Sequence, residues 1–159
     1  MSTLKNELIG SWRLLSYIEI PLRGGDSYFP LGKSPKGLLL YGQDGFMSLQ
    51  LSASEEISRV EDKNNVRSLQ GYMAFSGKYT VDPNYAHVTC FIDTSSFPLW
   101  EGTKQVRKVD FEGDVLFQKT VEPIMSDGQQ VHGYMTWKRM DKEAEEDLLL
   151  TEQVVHFEV

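Results

Sequence analysis

The chain has 159 residues, of which 23 are Asp or Glu and 16 are Lys or Arg, for a formal charge of −7. That length suits one domain with a proper core or an enclosed cavity, and the acidic balance argues against nucleic acid and anionic membrane, both of which need a basic surface. No apolar run is long enough to span a bilayer, the first residues lack the apolar stretch of a secretory signal, and one cysteine, Cys90, excludes an internal disulfide; these features predict a cytoplasmic protein.

Strand-type alternation dominates the chain. Residues 8–20 read as the first strand, with Trp12, Leu14, Ser16, Ile18 and Ile20 on one face and Arg13, Tyr17 and Glu19 on the other. Pro21 and Gly24-Gly25-Asp26 end it and open an irregular loop to Lys36. Within that loop Gly32-Lys33-Ser34 mimics the end of a phosphate-binding loop. Ser27 stands where that motif requires glycine, however, and Pro35 blocks the helix that should follow. Strands at 37–41 and 46–51 flank Gly42-Gln43-Asp44-Gly45, the clearest hairpin turn in the sequence.

From Ser52 to Leu69 the alternation breaks, and Ser54-Glu55-Glu56-Ile57 reads as the start of a short helix. Strands resume at 71–82 and 86–92 around Pro83-Asn84, and a loop at 93–102 carries Phe97, Pro98 and Trp100. A second hairpin, 103–111 with 115–121, turns at Glu112-Gly113-Asp114, and the last core strand covers 129–140. The count is eight strands, enough to close a barrel around one small ligand. The acidic stretch 141–147 and the mixed segment 148–159 form a C-terminal extension that suits helix and strand equally.

Two motifs point to the closed end of such a barrel. In Gly10-Ser11-Trp12 the glycine lets the chain pass close beneath the barrel and the indole fills its floor. Arg139, in Trp137-Lys138-Arg139, can lie across that indole as a packing and cation–π device, a structural role for Gly10, Trp12 and Arg139. Barrels closed at one end commonly hold an apolar ligand.

Candidates for chemistry follow from the same alternation. Gln105 and Arg107 share a face with Val109 and Phe111, which aims two polar side chains into an apolar interior. A buried guanidinium must be paired or hydrated, so Arg107 is either a ligand anchor with Gln105 as accessory or a structural clamp. The aromatic and methionine set, Tyr41, Met47, Tyr72, Phe75, Tyr79, Trp100, Phe117, Met135 and Trp137, reads as core or as cavity lining, with Tyr72 on the opposite face from Phe75 and Tyr79. Trp100, in the loop before the Gln-x-Arg strand, suits the cavity mouth. The expected ligand contacts are thus Arg107, Gln105, Tyr41, Met47, Phe75, Tyr79, Trp100, Phe117, Met135 and Trp137. His87, His132 and His156 are too dispersed for a metal site, no serine-nucleophile elbow is present, and Cys90 lacks a basic neighbour. Neither metal nor cofactor is expected.

The segments Gly10-Ser11-Trp12-Arg13-Leu14, Leu31 to Gly37, Leu40 to Ser48, Phe75 to Tyr79, Phe97 to Thr103, Gln105-Val106-Arg107 and Trp137 to Arg139 occur together in a consistent order. In that combination the chain resembles the bacterial and fungal lipocalin-like domain family. The resemblance implies an all-β fold: an eight-stranded antiparallel lipocalin-like barrel holding a small-molecule cavity. A short helical excursion and the C-terminal extension would complete one domain over residues 1–159, with its core at about 8–140. Where the family pattern carries histidine, this chain has Cys90 and Phe91, so no acid–base role is carried over to those positions.

Three functions remain. The first is binding of a small hydrophobic molecule with a polar or anionic end inside the barrel. The second is an isomerase, cyclase or hydratase acting on a lipophilic secondary metabolite, with Arg107, Tyr79, Asp93 and His87 as candidate groups. The third is a filled barrel that works through protein contacts. An acid or base hydrogen-bonded to Arg107 would favour the enzyme, and a filled interior would favour the last. A homodimer is compatible with all three.

Overall fold

A computed structural model describes residues 3–54 and 71–140. The helix expected after Ser54 and the C-terminal extension lie outside the described residues. After a short helix α1 (Leu4–Leu8) come β1 (Gly10–Pro21), β2 (Lys36–Tyr41), β3 (Phe46–Ser52), β4 (Tyr72–Asp82), β5 (His87–Ser95), β6 (Lys104–Glu112), β7 (Val115–Thr120), β8 (Ile124–Ser126) and β9 (Gln129–Arg139). Each of β1 to β7 pairs antiparallel with its successor, except that β7 pairs with β9, and β9 returns to β1 and closes the barrel. The three-residue β8 pairs only with β9, continuing the line of β7 beyond Pro123. Full closure removes the unpaired edges an open sheet would expose.

The hairpin expected at Gly42-Gln43-Asp44-Gly45 is present. Gly42 N–H donates to the Phe46 carbonyl at 2.8 Å, the Asp44 side chain accepts from Phe46 N–H at 3.1 Å, and Gly45 has φ +91°. β5 runs three residues further than expected, and a bulge there explains how. Its pairing with β4 shifts between Ser76 and Gly77, leaving Asp93 as the extra residue. The β5 backbone then lies so close to β4 that a Cβ on Gly77 would collide with the Phe91 carbonyl.

A bulge in β1 overturns one expectation. Leu14 pairs with Trp137 and Ser16 with Thr136, so Leu15 is supernumerary. One extra residue reverses the faces of everything after it. Trp12 and Leu14 point inward as expected, but beyond the bulge Tyr17 and Glu19 are the buried residues, while Ile20 is 39% exposed.

The closed end is apolar and fully packed. Trp12, Trp137, Leu8, Leu39 and Leu116 have no exposed surface. The Trp12 indole N–H donates to the Leu8 carbonyl at 2.8 Å, and the Phe111 ring lies 6.0 Å away. The Arg139 guanidinium lies 4.2 Å from the centre of the Trp12 ring. It also donates to the Ile9 carbonyl at 3.0 Å and to the Glu7 carbonyl, tying α1 across the barrel floor.

Candidate functional site

Above this plug the interior turns polar. β6 contributes Gln105 and Arg107, β2 Tyr41, β7 Gln118, β5 Cys90, and β1, through its bulge, Tyr17 and Glu19. Arg107 Nη2 donates to Gln105 Oε1 at 2.5 Å, and among the described residues no carboxylate lies within ion-pair distance of it. Arg107 keeps some surface and lines two small cavities in the barrel. Burial accordingly pulls its guanidinium below the usual arginine range, with Tyr17, Tyr41 and Cys90 acting in the opposite sense. Holding such a charge in a protein interior costs several kcal/mol, about the scale of a whole domain's margin of stability.

One cavity is lined by Tyr41, Met47, Cys90, Gln105, Arg107 and Gln118 among others, and the second by Tyr17, Met73, Trp100, Gln105, Arg107 and Met135 among others. Leu49, Phe75, Gln105 and Arg107 belong to both and form the partition. Each offers a volume of about 20 Å³, room for roughly one water molecule. The interior is therefore close to filled. A larger concavity of about 650 Å³ is an open trough on the outer wall, where Phe46, Lys78, Phe91 and Lys104 form a rung across four strands. Among the described residues no buried polar group lines it, so the interior is the candidate site.

Two hydrogen-bonded chains hold the interior tyrosines. Trp137 Nε1 donates to Gln118 Oε1 at 3.0 Å, and Gln118 Nε2 donates to the Tyr41 hydroxyl oxygen at 2.8 Å. Tyr41 packs edge-on against Tyr79, whose hydroxyl donates to the Gly42 carbonyl at 2.6 Å. Nearer the other end, the Tyr17 hydroxyl donates to Glu19 Oε2 at 2.5 Å and Ser126 Oγ donates to Glu19 Oε1 at 2.6 Å. Glu19 is only 4% exposed. Tyr28 hangs over this carboxylate, and its buried hydroxyl faces Glu19, Ser126 and Gln129 without hydrogen-bond geometry to any described residue. Burial, then the charge of Glu19 and the bond to it, raises the Tyr17 hydroxyl above the usual tyrosine range, against the pull of Arg107. Burial raises Tyr41 in the same way, opposed by Gln118 and Arg107. It pushes the Cys90 thiol up to about 11, again against Arg107.

The sequence profile of the lipocalin-like domain family matches residues 9–140. The chain belongs to that family. A similar protein is the 4'-hydroxy-3'-methoxypropiophenone carrier protein of Aspergillus oryzae (strain ATCC 42149 / RIB 40), 32% identical over 88 residues, which make up 51% of this chain and 78% of that protein.

In this lipocalin-like barrel Tyr41, Met47, Phe75, Trp100, Gln105, Arg107 and Met135 line the two cavities. Tyr79 is buried beside them, and Trp137 lies in the closed end, behind Gln118. Phe117 does not join them. β7 points Leu116, Gln118 and Thr120 inward, because Leu116 pairs with Phe111 and Gln118 with Val109. Phe117 is consequently outside and 39% exposed. Gln118, Tyr17 and Glu19 are the interior groups that sequence reasoning missed. Gln118 could have been found by the parity of its own strand; the other two were hidden by the bulge. The acid–base candidates His87 and Asp93 are on the outer wall, His87 paired with Lys108 and Asp93 exposed at the β5 bulge. Among the described residues no helix is long and apolar enough to cross a membrane.

Proposed function

We propose that this lipocalin-like domain binds a small hydrophobic molecule with a polar or anionic end inside its barrel and acts as a carrier. The observation that carries this reading is Arg107, a desolvated cation in the barrel interior whose hydrogen-bonded side-chain partner among the described residues is Gln105. A charge kept at such cost, with no acid pairing it among the described residues, is well suited to a ligand that brings the acceptor. Apolar walls from Leu49, Phe75, Met47 and Met135 would supply most of the affinity by releasing water, and the guanidinium fork would fix orientation. The carrier protein of Aspergillus oryzae is named for an aryl ketone with one phenolic hydroxyl, an apolar body with polar ends of the kind this interior would suit. The acidic surface and single cysteine support a cytoplasmic setting.

The tight interior sets a condition on this reading. Entry requires the partition of Phe75, Gln105 and Arg107 to swing aside so that the two cavities merge. The small cavities also favour the filled barrel that works through protein contacts, and of these two only the binding reading needs that motion. The enzymatic reading lacks its discriminating feature among the described residues, since the partner of Arg107 is an amide rather than an acid or base.

Native mass spectrometry of the purified full chain tests whether a small molecule is retained, and titration with small aromatic ketones and carboxylic acids tests affinity. Arg107→Met keeps bulk and removes charge and donors. It should fold and lose about tenfold or more in affinity for acidic over neutral ligands. Unaltered binding places the anchor elsewhere, and absence of any bound small molecule removes the carrier reading.

A further inference from the structure

The two tyrosines at the cavity walls are held in opposite hydrogen-bonding senses, and donor chemistry alone fixes which is which. An indole nitrogen can only donate, so Trp137 obliges the Gln118 carbonyl to face it. The Gln118 amide NH2 must then face Tyr41, which receives that bond on its oxygen. The Tyr41 proton is left with no acceptor among the described residues, and Tyr41 lines the cavity shared with Arg107 and Gln105. Tyr41 therefore offers its cavity a hydroxyl proton, whereas the guanidinium and the Gln105 amide line both cavities.

The other tyrosine is reversed. A carboxylate can only accept, and Glu19 receives Tyr17 on one oxygen and Ser126 on the other. Tyr17 has spent its single proton on Glu19, so toward its cavity it offers only oxygen lone pairs. The backbone helps to fix this, because Gly133 lets the Tyr17 hydroxyl lie against the barrel wall, where a Cβ would be 3.1 Å from it.

We infer that the ligand is a hydroxy-carbonyl compound, placing a carbonyl oxygen toward Tyr41 and Arg107 and donating a hydroxyl to Tyr17. The inference rests on the binding reading above and narrows it: a compound with acceptors at both ends would leave the Tyr17 oxygen facing another lone pair, and one with donors at both ends would set hydrogens against Arg107. Glu19 and Gln118 act through the tyrosines as positioning residues.

The test compares 4-hydroxyacetophenone with 4-methoxyacetophenone by calorimetry on the full chain. The two probes share a carbonyl and a ring and differ in whether the far oxygen can donate. The natural chain should bind the hydroxy compound about tenfold more tightly. Tyr17→Phe should bring that ratio to about one, whereas Tyr41→Phe should weaken both probes and keep it. Ultraviolet absorption of the bound hydroxy probe reads the orientation without any variant. Donation to Tyr17 keeps it a neutral phenol, while docking of the hydroxyl on Arg107 would give the red-shifted phenolate band. Equal affinities in the natural chain, a preference surviving in Tyr17→Phe, or a phenolate spectrum overturns the inference and leaves the binding reading in place. Failure of both probes to bind removes the inference and, for this ligand class, the binding reading as well.

Discussion

The two ends of this barrel are built on opposite principles. At the closed end the large buried side chains are apolar or have their polar atom hydrogen-bonded, Trp12 to the Leu8 carbonyl and Trp137 to Gln118, and the Arg139 guanidinium lies on the Trp12 ring and the carbonyls of Glu7 and Ile9. Toward the other end the interior contains the Arg107 guanidinium bonded to an amide and the Glu19 carboxylate bonded to two hydroxyls, with no ion pair to either among the described residues. One end is arranged for stability. The other keeps groups that a barrel selected for stability alone would replace with leucine or methionine, and that difference is the best physical argument that the polar half is there to meet something.

Breaking the closed end should have the largest effect. Trp12→Ala removes a fully buried indole beneath the Arg139 guanidinium, and chemical denaturation should show a loss of about 3–5 kcal/mol. A much smaller loss would mean that the plug does not organise the fold. Next comes the wall between the two regions. Gly77→Ala forces a methyl against the Phe91 carbonyl at the bulge, and the midpoint of unfolding should drop by the equivalent of about 1–3 kcal/mol.

Alkaline pH should act through the buried titratable groups of the polar half. The Cys90 thiol has an ordinary value of 9.0 and is raised to about 11 in the fold, so between those values the unfolded chain has lost a proton that the folded chain keeps. Unfolding then releases protons and stability falls as pH rises above about 9, by roughly 1.4 kcal/mol for each pH unit such a group spans. Tyr17 and Tyr41, raised in the same direction, extend the decline to higher pH. Cys90→Val should flatten the onset of the unfolding-versus-pH curve, and a curve unchanged by that substitution would show that the thiol is not buried as described. The smallest effect belongs to Phe117→Ala, expected to cost about 1 kcal/mol or less and to leave ligand affinity unaltered, since the ring is outside.

The same contrast governs what could be read from the sequence. The closed end was legible because its signals are local: Gly10-Ser11-Trp12 opens a strand, Arg139 follows Trp137, and period-two alternation places Leu14, Val109 and Phe111 inside without reference to anything distant. The strands and the Gly42–Gly45 hairpin were legible for the same reason. The polar half was legible only in part. Arg107 and Gln105 are on a regular strand, so alternation found them. Tyr17 and Glu19 follow a bulge, and a bulge is set by how one strand meets its partner, which a single strand's pattern does not record. Phe117 was assigned inward on aromatic character, yet the parity of Leu116, Gln118 and Thr120 gives the opposite face.

The supernumerary Leu15 also separates the histories open to β1. Up to Leu14 the strand is tied to the plug, and from Tyr17 onward it serves the polar cavity, with one unpaired position between them. A deletion at that position would return Tyr17 and Glu19 to solvent and bring Ser16, Ile18 and Ile20 inside, exchanging an acceptor wall for an aliphatic one while Trp12 stayed where it is. Relatives that differ by one residue between Trp12 and the end of β1 would therefore share a barrel and a floor yet carry cargo of a different polarity.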